Sequence, residues 1–255
     1  MSNSSKRFRK NRFFLKDSIR KKINFSRTDQ QRNLPAPPLQ KPYLEETRLI
    51  ELPNGAEALA LLGRMPFCDA VFRRESVRRF SSQPLNLKEL LALLWACQGV
   101  RRVLSPDCAL RNVPSAGARH AFETYLAVSM VEGLAPGLYR YLPFDAGLLL
   151  LKLDEQVDYK AAAACFQQGF VAAAAVTFFW TVIPARMEWR YDLAAHKVLA
   201  LDAGHVCQNL YLGATSLGLG TCAIAAYDQE ECDRLLGIDG EEEFTIYIAA
   251  LGKPG

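Results

Sequence analysis

Arg74 and Arg78 with Ser76 between them set two guanidiniums and a hydroxyl at alternating positions of a short segment. A guanidinium offers its N–H groups as a planar fork that meets phosphate oxygens in pairs, so the segment is a candidate phosphate cradle. The same residues also suit a solvated domain edge. A second candidate is Pro114-Ser115-Ala116-Gly117-Ala118, whose small residues let backbone amides approach a flat ligand and whose Ser115 adds a hydroxyl. Its Pro and Gly equally explain an ordinary tight turn. A third, Gly218-Leu219-Gly220-Thr221-Cys222-Ala223, matches the G-x-G-x-x-A spacing and has acids about 20 residues on, at 239–243. A dinucleotide fingerprint follows a strand and opens a helix, whereas these glycines close a long helix and lead into an extended stretch. What remains is a Gly-rich turn whose amides can face a ligand. Cys222 has no general base tied to it in the sequence and reads as a packed thiol.

The fourth candidate is a loop over 184–196, where Arg186, Glu188, Trp189, Arg190, Tyr191 and Asp192 crowd together. Aromatic and charged residues in one loop suit a lid over a substrate pocket; a surface loop anchored by its own Trp is the competing reading. His205 is expected to be a hydrogen-bonded core histidine.

These segments need a frame. Leu87, Leu90, Leu91, Leu94 and Trp95 follow helical spacing up to Gly99, where a helix commonly stops. Residues 194–217 form a second long helix with Leu199, Ala203, Val206, Leu210, Ala214 and Leu217 on one face. Strands are predicted over 124–130, 175–183 and 244–251, with a hairpin from 137–142 and 147–153 turning around Pro143, Asp145 and Gly147. The alanine-rich stretch 159–174 favours helix. Strands mixed with long helices but without regular βαβ alternation predict an α+β sandwich around a mixed or antiparallel sheet.

With 255 residues, half of them apolar, the chain can bury a substantial core in one domain. The longest apolar stretch, 170–184, is interrupted by Thr177 and Thr181 and falls short of the ~20 residues of a spanning helix. No secretory signal pattern opens the chain, so a cytoplasmic protein is expected. Seven scattered cysteines and three histidines show no metal-ligand spacing; reduced thiols and no metal site are expected. Residues 1–28 carry ten Lys or Arg against the single Asp17, and a proline-rich stretch, 32–43, follows as an extended connector. The chain therefore divides into a basic arm and Pro-rich linker, 1–46, and a domain over 47–255. Phe8, Phe13, Leu15, Ile19 and Ile23 permit an amphipathic helix in the arm. Packing on its own domain or on a dimer mate with the charges facing water, or simple disorder, is favoured over contact with nucleic acid or a membrane.

In this order the segments resemble the nitroreductase superfamily, and within it the SagB-type dehydrogenase branch, over residues 72–254. The resemblance rests on Arg74-Glu75-Ser76-Val77-Arg78, Val113-Pro114-Ser115-Ala116-Gly117-Ala118-Arg119-His120, Pro136-Gly137-Leu138-Tyr139-Arg140-Tyr141, Leu201-Asp202-Ala203-Gly204-His205-Val206-Cys207-Gln208-Asn209-Leu210 and Gly218-Leu219-Gly220-Thr221-Cys222. It implies an α+β three-layer sandwich that dimerises with FMN in clefts at the subunit interface. By resemblance, Arg74, Ser76 and Arg78 would hold the phosphate and ribityl chain, with Lys253 as a second phosphate contact. Pro114, Ser115 and Ala116 would approach the flavin from the other subunit, and Gly218 and Gly220 would set backbone amides near its reactive edge. NAD(P)H would be the hydride donor, and a small nitro, quinone-like or other molecule the acceptor, in a ping-pong cycle.

Peptide-modifying members of the branch, which oxidise azolines to azoles, carry a Lys-Tyr pair near the flavin, where this chain has Arg190-Tyr191. Arginine stays protonated where lysine could act as a base, which counts against azoline chemistry and leaves Tyr191 as an acid or an orienting group. Two other readings stay open: an azoline dehydrogenase docked on a peptide-modifying complex, and a flavin-binding module without turnover.

Overall fold

Asn86 starts the helix Leu87–Gln98 by a reciprocal cap: its side chain accepts the Lys88 N–H at 2.8 Å, and its own N–H donates to Glu89 at 2.9 Å. The computed structural model describes residues 8, 11–44, 46–53 and 55–255, so residues 1–7, 9 and 10 of the basic arm lie outside the described residues. Its strands are β1 (Leu49–Glu51), β2 (Val100–Ser105), β3 (Cys108–Arg111), β4 (Phe122–Val128), β5 (Gly137–Leu142), β6 (Gly147–Leu153), β7 (Val176–Val182), β8 (Gly220–Ile224) and β9 (Phe244–Gly252). Seven of them form one sheet in the order β1-β6-β5-β4-β7-β9-β8, antiparallel throughout. β2 and β3 make a separate hairpin.

Both sheet faces are covered. On one, Leu126, Phe178, Trp180 and Leu251 pack against Leu90, Leu93, Leu199, Val206 and Leu210 of the two long helices. On the other, Tyr125, Phe179, Ile248 and Ala250 meet Val157, Ala161, Cys232 and Leu236 from the helices Val157–Ala164 and Gln229–Leu236. This is the three-layer α+β sandwich expected. Among the described residues no helix is long and apolar enough to cross a membrane.

Three expectations change. The alanine-rich stretch 159–174 is two helices, Val157–Ala164 and Gly169–Ala172, because Phe166 and Gln167 adopt left-handed backbone (φ 53° and 58°) that breaks the ladder. The predicted loop 184–196 contains a helix, Ala185–Tyr191, which Pro184 can open because its φ of −56° and ψ of −37° are helical. Asp192, at φ 49°, ends it. The proline-rich connector is extended, as expected, yet packed. The carbonyls of Lys41 and Pro42 accept from Arg140 at 3.1 Å, Lys41 N–H donates to Glu123 at 2.8 Å, and the Leu39 carbonyl accepts from Arg111 at 3.0 Å. Proline lacks an N–H, so a proline-rich segment keeps carbonyls free to accept from buried arginines.

Candidate functional site

Leaving the helix Phe67–Arg73, the chain runs along the outer edge of β8. Ser76 pairs with Thr221 in a parallel bridge, Val77 N–H donates to the Thr221 carbonyl at 3.0 Å, and Phe80 bridges Pro254 just past β9. Ser81 N–H donates to the Lys253 carbonyl at 2.9 Å. One sheet edge thereby gathers Arg74, Ser76, Arg78, Gly220 and Lys253. Gly220 is required there, since a Cβ would fall 2.6 to 3.0 Å from the Val77 side chain and force the segment outward. Gly218, at φ 70°, closes the long helix Ala195–Ser216.

Tyr211, on that helix, ties this edge together. Its hydroxyl lies 2.9 Å from Ser76 Oγ and accepts the Ala223 N–H at 2.8 Å, while the Arg74 guanidinium stacks 5.5 Å from its ring. Arg78 lies 5.9 Å from the Phe170 ring. Among the described residues, Arg74, Arg78 and Lys253 have no carboxylate within ion-pair distance. Three cations with hydroxyls and no acid make a donor set that fits a phosphate-bearing group. Cys222 beside them is buried, and burial raises its thiol pKa against the opposing pull of Arg78, so it is packed rather than activated.

The second group lies nearer the start of the long helix. Asp202 accepts the Ala116 N–H at 3.1 Å and fixes the Pro114-Ser115-Ala116 turn; burial raises its pKa, opposed by its bonds from Ser115 and Ala116. Ser115 Oγ accepts the His120 N–H at 3.0 Å. Gly117, at φ 59°, admits Arg190 and Tyr191: a Cβ would sit 2.8 Å from Arg190 Nε and from the Tyr191 hydroxyl. Gly117→Ala should therefore displace the Arg190-Tyr191 pair and destabilise the fold by about 1 to 3 kcal/mol. Denaturant unfolding measures the second effect and a crystal structure the first; an unchanged midpoint would contradict it.

The two groups sit at different levels of the long helix. Tyr211 follows Asp202 by nine residues of one helix, a rise of about 14 Å. Sequence reasoning missed Tyr211 and Asp202. Asp202 had a readable signal, an acid inside the buried Leu199, Ala203 and Val206 stripe.

His205 is corrected: it is exposed, with Nδ1 3.7 Å from Asp202. The core histidine is His120, whose pKa is pushed down to about 3 by burial first and the Arg111 charge second. Above about pH 6.5 both folded and unfolded chains hold this imidazole neutral. Below it only the unfolded chain takes the proton, so stability is lost as pH falls from about 6.5 towards 3, by up to about 1.4 kcal/mol per pH unit. His120→Gln should flatten that slope in denaturant titrations over this range, and an equal slope in both proteins would contradict the assignment.

The sequence profile of the Nitroreductase family matches residues 71–253. A nitroreductase-family protein of Methanocaldococcus jannaschii is 34% identical over 185 residues, 72% of this chain and 89% of the relative. A nitroreductase-family structure from Ralstonia eutropha matches at TM-score 0.66 and 26% identity, covering 87% of this chain and 99% of that one. One from Anabaena variabilis matches at TM-score 0.64 and 26% identity; it covers 83% of this chain, which spans only 42% of that longer one. The fold is shared at lower identity by two more. The Vibrio harveyi NADPH:FMN oxidoreductase complexed with NAD+ has 18% identity and TM-score 0.52, over 74% of this chain and 68% of that one. A chain of the Escherichia coli microcin synthetase McbBCD complex has 14% identity and TM-score 0.62, over 91% and 83%.

Proposed function

Since this chain belongs to the nitroreductase family, we propose that it is an FMN-dependent oxidoreductase that passes hydride from NAD(P)H to a small nitro, quinone-like or other acceptor. The observation that carries this reading is that Arg74, Ser76, Arg78 and Lys253 come to one sheet edge beside Tyr211, with no carboxylate within ion-pair distance of the three cations among the described residues. These residues would hold the FMN phosphate and ribityl chain. When bound, FMN supplies reversible hydride acceptance, which no side chain can provide. Gly218 N–H and Leu219 N–H donate to the Thr215 and Ala214 carbonyls, so the backbone at Gly220 is the part of this turn that would face the ring, and Arg190 with Tyr191 would orient the acceptor.

The separation of the two groups supports a homodimer as part of the proposal, with Pro114, Ser115 and Ala116 of one copy completing the site of the other. Phe67 and Phe72, 73% and 90% exposed on the helix that precedes Arg74, supply apolar surface for such a contact. A cytoplasmic setting belongs to the same reading. Arg190, lacking a titratable amine, favours small acceptors over azoline peptides.

Anaerobic mixing tests the activity. FMN-loaded protein should lose its oxidised flavin absorbance with NADH or NADPH and regain it when a nitroaromatic or quinone is added. Flavin that stays oxidised with both donors would sink the nicotinamide-dependent reading.

A further inference from the structure

The basic arm is packed on the domain along part of its length only. Ile19 and Ile23 are half-buried and Thr28 is buried. Gln30 N–H donates to the Trp189 carbonyl at 2.9 Å, and Trp189 Nε1 donates to the Leu34 carbonyl at 2.9 Å, which fixes the segment that leads out of the arm. Phe13, Phe14 and Leu15, by contrast, are 42%, 47% and 67% exposed. The chain turns directly after them, with Lys16 N–H donating to the Phe13 carbonyl at 3.1 Å. An anchored stem therefore presents three consecutive apolar side chains to solvent.

Charge indicates what covers them. The net charge of +4 combines an arm, residues 1–28, at +9 with a remainder at −5, so the molecule meets an anionic surface arm first. The single acid of the arm, Asp17, is paired with Arg20 at 2.9 Å. Arg12, Lys16, Lys21 and Lys22 are exposed, and among the described residues no carboxylate lies within ion-pair distance of them. Lys22 Nζ lies 5.6 Å from the Phe13 ring, which sets a cation beside the apolar group. Exposed aromatic and aliphatic side chains among cations suit the interface of an anionic bilayer, where the apolar groups enter the acyl boundary and Lys and Arg stay at the headgroups. A protein partner fits less well, because protein interfaces are depleted in Lys. Nucleic acid would neutralise the cations yet leave Leu15, the most exposed of the three, in water.

We propose that the arm docks this protein on anionic bilayers, with Phe13, Phe14 and Leu15 entering the acyl boundary and Arg12, Lys16, Lys21 and Lys22 meeting the anionic headgroups. The proposal does not rest on the flavin reading.

Co-sedimentation of the full chain with lipid vesicles tests it without turnover. Vesicles of phosphatidylcholine mixed with phosphatidylserine should bind the protein at least about 10-fold more tightly than phosphatidylcholine alone, with an advantage that shrinks as salt is raised. Phe13→Ser, Phe14→Ser and Leu15→Ser together should weaken binding to the mixed vesicles about 10-fold or more, with an unchanged unfolding midpoint because the replaced side chains are exposed. Lys16→Glu with Lys21→Glu should weaken it by a similar factor while leaving the apolar groups in place. Absence of binding, equal binding to the two vesicle types, or a serine variant that binds like wild type overturns the proposal. Tighter binding to a single-stranded oligonucleotide than to the mixed vesicles would overturn it in favour of nucleic acid. A serine variant with an altered oligomeric state in gel filtration would instead assign the apolar groups to a second copy of the chain.

Discussion

Replacing Arg74 and Arg78 together by alanine is expected to weaken FMN binding about 10²- to 10⁴-fold while leaving the fold in place. A hydrogen bond to a charged group contributes about 1.5 to 3 kcal/mol, and two guanidiniums are removed. The fold should survive because neither side chain has a carboxylate partner among the described residues, so the change strands no buried charge. Their packing on the Tyr211 and Phe170 rings is a smaller loss, about 0.5 to 1 kcal/mol each for partly exposed pairs. Riboflavin, which keeps the ribityl chain but lacks the phosphate, should lose far less affinity than FMN. A variant that keeps FMN affinity would remove the cluster from the phosphate role.

The largest effect on stability is expected from Glu123→Gln. Glu123 and Arg186 are 2% and 1% exposed, and Arg186 Nη2 donates to Glu123 at 2.6 Å. Glu123 also takes the Lys41 N–H that secures the proline-rich segment. The amide keeps the shape and removes the charge, leaving Arg186 and Arg111 in the interior without an acid between them. Breaking a buried pair from one side costs about 3 to 5 kcal/mol. Urea unfolding should show this loss, and Glu123→Gln combined with Arg186→Met should recover part of it, since the stranded cation is then gone. A Glu123→Gln midpoint within error of wild type would contradict the assignment.

Much of the frame was legible because its patterns are local. The 137–142 and 147–153 hairpin has a turn rich in Pro, Asp and Gly between two runs of strand-forming residues, and the two long helices carry apolar stripes that need no knowledge of their partners. What escaped depends on distant contacts. Strand β2 is largely exposed and bulged, so it lacks the alternation that marks a strand. The helix Ala185–Tyr191 buries a charged residue, Arg186, whose place is decided by Glu123 in β4. The proline-rich segment reads as a connector because its value lies in carbonyls offered to Arg111 and Arg140, which no spacing rule reports.

At the candidate site, Arg74, Ser76 and Arg78 could be read as a cluster from their own spacing. Lys253 joins that cluster only because β9 ends beside the 76–81 segment. Tyr211 was hidden because, beside Leu210 on a mostly apolar helix, it looks like core.

The most direct measurement is a calorimetric titration of the purified, flavin-stripped chain with FMN and with riboflavin. The phosphate cluster predicts stoichiometric FMN binding at least about 100-fold tighter than riboflavin, with an advantage that shrinks as salt is raised. Failure to bind FMN, or equal affinity for the two flavins at low salt, would contradict the account.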